Sequence, residues 1–398
     1  MKFETHKIAD LIDEISMGPF GSNIKVECFV DDGIPVLNGS NLDGIALSEN
    51  SFRYVTEEKA DSLGKANASR GDVVITHRGT LGQISFIPQN SKYSRYVISQ
   101  SQFRVRCNEK LLPEYLVYYF HTRVGQHKLL ANASQVGVPA LARASTTFQT
   151  IEIEIPPIEE QRKIVDILET IREKIEVNNA INNNLLKQAN AIFKREFLEL
   201  SELPNGWYRS NLTSIANYLN GLAMQKYRPS DTEVGLPVLK IKELRQGFCD
   251  SDSELCSPSI KTDYIINDGD VIFSWSGSLL VDFWCGGKCG LNQHLFKVTS
   301  DTYDPWFYFA WTNYHLAEFA HIAASKATTM GHIKRNDLEK AVVIVPSHED
   351  YSRIGAILSP IYNIIVANRL ENNKLTQLRD TILPQLMSGE LDVSDVEI

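Results

Sequence analysis

Short polar loops that carry cations and rings follow apolar runs in the first part of the chain. His77-Arg78-Gly79-Thr80 comes directly after the run Val73 to Thr76, and its glycine allows a tight loop. Arg and His side chains can reach base edges or phosphates of nucleic acid, a Tyr ring can stack on a base, and a hydroxyl can bond to either. The candidate nucleic-acid contacts in this part of the chain are His77, Arg78, Thr80, Arg95, Tyr96 and Arg143.

The later part of the chain repeats this arrangement with different side chains. Trp275-Ser276-Gly277-Ser278 follows the run Val271 to Ser274, at the position that corresponds to His77 to Thr80. One scaffold with two different tips is what recognition of two different short sequences would require. The candidate contacts here are the tip and the surrounding basic clusters, namely Lys226, Arg228, Lys242, Arg245, Trp275, Ser276, Lys288, Lys334 and Arg335.

Motifs for catalysis are not found in the sequence. An amino-methyltransferase would need an Asn/Asp-Pro-Pro-Tyr/Phe segment, and Asp304-Pro305-Trp306-Phe307 lacks the second proline. Glu57-Glu58-Lys59 lacks the paired upstream carboxylates of a two-metal nuclease. Cys285, Cys289 and His294 lack a clear fourth ligand for zinc. We therefore predict no catalytic residue, no metal site and no cofactor in this chain.

Two stretches carry an apolar stripe with the alternating three- and four-residue spacing of a coiled coil. The first stripe consists of Ile164, Leu168, Ile171, Ile175, Asn178, Asn182 and Leu185. The second consists of Ile354, Leu358, Ile361, Ile365, Asn368, Asn372 and Leu375. Both carry asparagines at the same places, and a buried Asn pair fixes register at some cost in stability. We predict two long helices paired through these seam residues; two amphipathic helices on separate cores are the alternative.

The similarity between the two parts extends beyond the helices. Ile34-Pro35-Val36-Leu37 corresponds to Leu236-Pro237-Val238-Leu239, and Gly71-Asp72-Val73 corresponds to Gly269-Asp270-Val271. The chain is therefore a tandem duplication of a globular domain followed by a long helix. We predict an α+β fold with mixed α/β domains at residues 1–155 and 204–345, and helical segments at 156–203 and 346–398, the last with the C-terminal tail.

Composition is consistent with this organisation. A length of 398 residues suggests two or three domains, and the six cysteines are irregularly spaced, which favours free thiols in a cytoplasmic protein. No run of about eighteen apolar residues is present, so no membrane span is expected. The net charge of −9 concentrates in the helices and the tail, which leaves the globular domains nearly neutral. Such domains would bind DNA weakly without base contacts or partner proteins.

The helix entries resemble a known family. Ile155-Pro156-Pro157-Ile158-Glu159-Glu160-Gln161 leads into a long helix rich in NNxxL, and a second such helix ends in LRDTILPQLMSGEL. Together with a variable domain before each helix, these segments closely resemble the DNA specificity subunit of Type I restriction-modification systems, over the whole chain. Pro346-Ser347-His348 replaces the double proline at the second entry, a small departure.

This resemblance implies two target recognition domains, each binding one half of a bipartite site in double-stranded DNA. It implies that the two helices are antiparallel, act as a molecular ruler between the half-sites, and dock two modification subunits, which are adenine methyltransferases. S-adenosylmethionine would bind those subunits, and restriction subunits can join the complex. On this basis, four residues inserted after Asn183 and after Asn373 are expected to lengthen the spacer. The alternative is a non-catalytic coiled-coil scaffold or adaptor, which leaves two large mixed domains without a role.

Overall fold

The computed structural model describes residues 2–134, 137–325, 331–394 and 396. It consists of two compact units. Unit 1 comprises Met1–Arg172 with Gln377–Ile398, and unit 2 comprises Glu173–Thr376. Both units combine helices and sheets, and both long helices contribute residues to each unit. The predicted α+β class is confirmed.

Unit 1 contains thirteen strands and four short helices among the described residues. The strands are β1 (Glu4–Lys7), β2 (Ile12–Met17), β3 (Phe29–Val30), β4 (Ile34–Val36), β5 (Arg53–Val55), β6 (Asn67–Ser69), β7 (Val73–Thr76), β8 (Ile84–Phe86), β9 (Arg95–Val97), β10 (Gln102–Cys107), β11 (Ala133–Ser134), β12 (Ala140–Leu141) and β13 (Glu152–Ile155). The helices are α1 (Glu57–Ser62), α2 (Pro113–His121), α3 (Arg123–Leu130) and α4 (Ala144–Gln149), followed by the long helix α5 (Ile158–Phe193).

Two sheets dominate unit 1. One has the antiparallel order β2-β10-β7-β8, and the other has the order β3-β5-β4-β9-β6, in which β4 and β9 are parallel. Strand β7 lies between two cores: Val73 and Ile75 pack into one apolar cluster and Val74 into the other. Because both of its faces are covered, β7 is a continuous apolar run rather than an alternating one.

Unit 2 begins within α5, and its own elements start after a π-helical turn at Lys194–Leu198. The strands are β14 (Tyr208–Asn211), β15 (Asn217–Asn220), β16 (Leu236–Leu239), β17 (Leu255–Cys256), β18 (Ile265–Ile266), β19 (Val271–Ser274), β20 (Leu280–Phe283), β21 (Cys289–Leu291), β22 (Leu295–Thr299) and β23 (Val342–Val345). The helices are α6 (Leu212–Ile215), α7 (Ile241–Gln246), α8 (Pro305–Tyr314), α9 (Leu316–Ser325), α10 (Arg335–Lys340) and the long helix α11 (His348–Ser388).

The sheets of unit 2 repeat those of unit 1. The order β15-β22-β19-β20 matches β2-β10-β7-β8, and β17-β16-β21-β18 matches β5-β4-β9-β6. The parallel pair recurs as β16 with β21, and the pair β14 with β23 matches β1 with β13. Strand β19 again lies between two cores, with Val271 and Phe273 in one and Ile272 in the other. The predicted duplication is therefore present in the topology.

The repeated Gly-Asp-Val segment has a structural role in both units. Asp72 accepts a hydrogen bond from the Ser69 amide at 2.9 Å and forms an ion pair with Arg106 on β10 at 2.8 Å. Asp270 accepts the Asn267 amide at 2.8 Å and pairs with Lys297 on β22 at 2.8 Å. Each aspartate closes a turn before the central strand and satisfies a cation on the neighbouring strand. Asp72 is fully buried, so this pairing is required for its charge to be tolerated.

The long helices α5 and α11 pair in antiparallel orientation. In unit 2, the Asn178 side chain donates to Asn372 Oδ1 at 2.8 Å, and Asn368 donates to Asn182 Oδ1 at 2.8 Å. The asparagines therefore meet crosswise, since Asn178 pairs with Asn372 rather than with its repeat counterpart Asn368. In unit 1, Ile164 and Leu168 share an apolar cluster with Leu386. All of the predicted seam residues are buried or half-buried.

The entry of each long helix is attached to its own globular domain. Gln161 donates to the carbonyls of Lys110 and Pro156, both at 2.9 Å, and accepts the Leu112 amide at 3.0 Å. In unit 2, Tyr351 connects the start of α11 to the globular domain, because its hydroxyl donates a hydrogen bond to the Asp304 carboxylate at 2.9 Å. Acidic residues occupy the first turn of both helices, where the positive end of the helix dipole favours them.

Two further features concern the chain as a whole. Within the ranges described, no helix is both long and apolar enough to cross a membrane. The six cysteines are free thiols in the structure.

Candidate nucleic-acid interface

The tip that follows β7 in unit 1 is held by backbone hydrogen bonds to the segment around β12. The Gly79 amide donates to Pro139 O at 2.8 Å, and the Leu141 amide donates to His77 O at 2.8 Å. Gly79 has φ of +95°, a conformation that favours glycine, and this lets the chain turn sharply after Arg78. The Arg78 side chain is left exposed to solvent.

A groove lies beside this tip, and we call it the Arg78 groove. Its volume is about 550 Å³, and it is lined by Met17, Gly18, Pro19, Phe20, Gly21, Asn23, Ser62, Leu63, Lys65, Ala66, His77, Arg78 and Gln100. None of these lining side chains is acidic, although the chain has 49 Asp and Glu residues in total. The groove combines cations, amides and one exposed ring, which is the chemistry that contacts phosphates and bases.

The positive charge of the Arg78 groove comes from Arg78 and Lys65 rather than from histidine. Burial lowers the pKa of His77 below its ordinary value, although a hydrogen bond of 3.2 Å from Nε2 to Gln100 O partly offsets this effect. The ring is therefore neutral at pH 7 and acts as a positioned hydrogen-bonding group.

The tip that follows β19 in unit 2 has the same backbone connections. The Gly277 amide donates to Gly331 O at 3.1 Å, and the Ile333 amide donates to Trp275 O at 3.0 Å. Ser276 forms an antiparallel bridge with His332, as Arg78 does with Ala140. The two tips are thus structurally equivalent, and Arg78 and Ser276 occupy the same place in the two units.

A second groove, which we call the Trp275 groove, lies beside this tip. Its volume is about 670 Å³, and it is lined by Thr213, Ala216, Asn217, Tyr218, Leu219, Asn220, Tyr264, Trp275, Phe296, His332, Ile333, Lys334, Arg335 and Leu338. The indole N–H of Trp275 donates to Asn220 Oδ1 at 2.9 Å, and its ring lies 5.8 Å from that of Phe296. This lining, too, includes no Asp or Glu side chain among the residues described.

The structure brings only some of the candidates of unit 1 together. Thr80 is exposed on the tip, and Arg143 is exposed two residues after β12, as the left-handed N-cap of α4. Arg95 instead lies on β9, where it donates to Asn67 at 2.8 Å and pairs with Asp61 at 2.6 Å. Tyr96 is fully buried, and its hydroxyl donates to Glu49. The prediction that Tyr96 stacks on a base is therefore wrong, because its ring belongs to the core.

The candidates of unit 2 divide in the same way. Trp275, Lys334 and Arg335 line the Trp275 groove, but Ser276 is only 4% exposed and its hydroxyl lies 3.2 Å from His294 Nδ1. The expectation that Ser276 contacts DNA is therefore not supported by its burial.

The other basic candidates of unit 2 lie outside the Trp275 groove. Arg228 pairs with Glu254 at 3.1 Å, and Lys242 pairs with Asp250 at 2.9 Å. Arg245 lines a different groove, which includes Asn179 of α5. Lys226 and Lys288 are exposed and also lie outside the Trp275 groove.

Several groove residues were not predicted from the sequence. They are Phe20, Lys65 and Gln100 in the Arg78 groove, and Asn220 and Tyr264 in the Trp275 groove. They come from segments of the chain outside the two tips. The structure relates two of them, because Gly18 and Gly221 donate equivalent backbone hydrogen bonds, to Gln102 O and Leu295 O, close to Phe20 and Asn220.

Metal binding has no support among the described residues, where no group of three or more His, Cys, Asp or Glu side chains is placed to hold an ion. His294 contacts Ser276 and Gln293 instead of a cysteine pair.

The fold and the two grooves define this chain as a duplicated α+β protein. Each copy of the mixed α/β domain has an acid-free groove at an equivalent tip, and the two long helices pair in antiparallel orientation. Comparison with known proteins gives the family. Residues 4–187 and 204–378 match the family described as Type I restriction modification DNA specificity domain. The chain therefore belongs to this family and contains two copies of its domain.

Related proteins align with nearly the whole length of this chain. The chain is 24% identical to the Type I restriction enzyme MjaIX specificity subunit of Methanocaldococcus jannaschii, across 99% of this chain and 94% of that protein. It is 23% identical to the EcoKI specificity subunit of Escherichia coli, across 91% and 83% of the two chains. The crystal structure of the S subunit from M. genitalium shares the fold, with a TM-score of 0.62 and 15% identity over 97% of this chain and 96% of that one.

Proposed function

We propose that this chain is the DNA specificity subunit of a Type I restriction-modification complex. Unit 1 binds one half of a bipartite site in double-stranded DNA through the Arg78 groove, and unit 2 binds the other half through the Trp275 groove. The observation that carries this proposal is the pair of acid-free grooves at equivalent tips in a chain of net charge −9. Acidic side chains at these places would repel the DNA phosphates, and neither described lining contains one.

The different side chains of the two grooves support two different half-sites. Arg78 can donate two hydrogen bonds to a guanine, and Gln100 can pair with an adenine. Trp275 and Tyr264 give the second groove a ring-lined surface, and Lys334 and Arg335 in the same lining can bind phosphates. Equivalent scaffolds with different linings give independent recognition of each half.

Independent recognition is tested by single substitutions in the assembled complex. Arg78→Ala is expected to relax only the half-site bound by unit 1, and Lys334→Ala to weaken only contacts made by unit 2. Methylated sites are mapped genome-wide in cells that express each variant with its partner subunits. Arg123→Ala is the matched control, since Arg123 is exposed on α3 and does not line the groove. Relaxation of both half-sites by one substitution would contradict the proposal.

The partners proposed for the helices are two modification subunits, which carry S-adenosylmethionine, with restriction subunits as further members of the complex. Exposed apolar side chains on the helices support this docking role. Val177 and Ile181 of α5 are 53% and 43% exposed, and Ile357 and Ile364 of α11 are 42% and 46% exposed. Val177 and Ile181 lie four residues apart and Ile357 and Ile364 seven apart, so each pair lies on one face of its helix, and contiguous exposed apolar surface marks sites where proteins bind.

We also propose that the chain is not itself an enzyme. Purified without partners, it is expected to bind no S-adenosylmethionine by calorimetry and to transfer no methyl group to DNA. Methyl transfer by the isolated chain, with contaminating methyltransferase excluded by mass spectrometry, would overturn this. If the chain bound modification subunits but no groove substitution affected DNA binding, the scaffold alternative would be favoured instead.

A further inference from the structure

Phe20 is a large apolar side chain that the fold of unit 1 leaves in solvent. It is 83% exposed and lines the Arg78 groove together with Lys65, His77 and Arg78. The adjacent positions are constrained. A Cβ on Gly18 would lie 1.9 Å from the Ser99 carbonyl oxygen, so this backbone is pressed against its neighbour. The Gly18 amide donates to Gln102 O at 2.8 Å, which fixes the base of the loop.

The loop also holds Phe20 in a defined backbone conformation. Pro19 restricts the chain before it, and Phe20 is the extended N-cap of a 3₁₀ turn, with its carbonyl accepting the Asn23 amide at 2.8 Å. A ring on a short, anchored loop loses little conformational entropy when it makes a contact.

The equivalent loop of unit 2 shows that the fold does not need this exposed ring. Gly221 has the same close approach, with a Cβ 2.2 Å from Asn292 O, and its amide donates to Leu295 O at 3.0 Å. After Gly221, however, the chain turns inward: the Leu222 amide donates to Leu291 O at 3.0 Å, and Met224 is buried in a core cluster. The same turn therefore buries its large apolar residue in one unit and presents it in the other.

We propose that Phe20 inserts against the bases of the half-site bound by unit 1, as an apolar wedge that unstacks or bends a base-pair step. This rests on the proposed function. The partner is DNA because the ring shares its groove with cations and amides, with no acidic side chain in the described lining of the groove. Phe is among the residues that proteins insert between base steps, and Lys65 would hold an adjacent phosphate while Arg78 contacts a neighbouring base.

This contact makes the two half-sites differ in kind. The unit 1 half-site is recognised partly through its deformability, so flexible pyrimidine–purine steps are favoured next to the bases contacted by Arg78. The unit 2 half-site is not recognised through its deformability in this way. Met224 in the equivalent loop is buried, and the Trp275 indole donates a hydrogen bond to Asn220.

The test uses the chain assembled with its partner subunits and a duplex that carries the bipartite sequence found by methylation mapping. 2-Aminopurine is placed at successive positions of each half-site, since its fluorescence rises when it is unstacked. Apart from the adenines that the methyltransferase subunits flip out of the duplex, the wild-type complex is expected to raise the fluorescence at one step of the unit 1 half-site. Phe20→Ala is expected to abolish that rise and to weaken binding of the duplex about tenfold or more. Phe20→Trp should retain both.

Val26→Ala is the matched control, because Val26 is 82% exposed on the following 3₁₀ turn and does not line the groove. It is expected to leave binding and fluorescence unchanged, and thermal melts of all variants check folding. The inference would be overturned if Phe20→Ala bound the duplex within twofold of wild type and kept the fluorescence rise. Weakened binding by Arg78→Ala in the same assay would show that the proposed function still holds. If neither Arg78→Ala, Lys334→Ala nor Phe20→Ala weakened binding, the proposed function itself would fail.

Discussion

The charge and shape of single residues decide how each groove can act. Arg78 is exposed on a tip whose backbone is fixed on both sides, and its planar guanidinium can bond to a guanine in two places. Lysine carries the same charge but only a point-like donor. This difference separates base recognition from phosphate binding.

Arg78→Lys is therefore expected to keep most of the affinity for non-specific DNA and to lose discrimination at one base pair, by about 1–3 kcal/mol. Fluorescence anisotropy with the cognate duplex and with single-base variants measures this loss, over a range of salt concentrations. A uniform loss across all sequences, with a change in salt dependence, would instead place Arg78 on phosphate.

Another single residue gives unit 1 a dependence on pH. Burial lowers the pKa of His121 from its ordinary 6.5, and its Nε2 donates to the Ile84 carbonyl at 2.9 Å. The unfolded chain therefore takes up this proton more readily than the folded chain. The contribution of His121 to stability is complete above about pH 6.5 and is lost as the pH falls through the lower folded-state value.

His121→Gln keeps a donor for Ile84 and removes the titration. Its melting temperature is expected to fall less between pH 7 and pH 5 than that of the wild type, measured by differential scanning fluorimetry. His127→Gln is the control, since His127 is exposed on α3. An equal fall in the wild type and His121→Gln would contradict this assignment.

At the scale of elements, the polar layers of the α5–α11 pair determine its register. Asn178 is 1% exposed, and its amide donates both to Asn372 and, at 2.7 Å, to Glu371. Removing one partner leaves a buried polar group without its hydrogen bond, whereas replacing both with apolar residues restores a continuous seam.

Asn178→Leu is expected to destabilise the chain by about 1–3 kcal/mol, and Asn178→Leu with Asn372→Leu to recover most of that loss. Thermal unfolding measures both. Asn184→Leu on the same helix is the control, because Asn184 is exposed. Additive destabilisation in the double variant would show that the two side chains do not interact.

At the scale of the whole molecule, the antiparallel pairing changes where a ruler can be lengthened. Sites that are equivalent in the repeat, after Asn183 and after Asn373, do not lie opposite each other, because Asn182 faces Asn368. An insertion after Asn183 must be matched by one after Val366. Four residues add roughly 6 Å and about one full turn, so the seam stays approximately in phase.

The doubly lengthened chain is expected to keep both half-sites and to prefer a spacer longer by one or two base pairs, since DNA rises about 3.4 Å per base pair. Methylation mapping of the lengthened complex measures the spacer. Insertions after Asn183 and Asn373 serve as the mismatched control, with lower stability expected because the polar layers no longer meet. An unchanged spacer with full activity would show that the helices do not set the distance.

Local patterns in the sequence were sufficient for the duplication, for the two long helices and for the positions of the two tips. Periodic apolar spacing and glycine-flanked loops act through neighbouring residues, so one stretch contains the information needed for each prediction. The seam from Ile164 to Leu185, for example, is visible without knowledge of its partner.

The tertiary structure alone decided which polar side chains are available to a ligand. Arg95 is tied to Asp61, Tyr96 fills the core, and Arg245 faces a different groove, although each is as basic or aromatic in sequence as the groove residues. Phe20 resembles a core residue in sequence and lies in solvent. Burial and ion pairing depend on which distant segments meet, and the energy of a charge or a ring is set by those neighbours rather than by its own type.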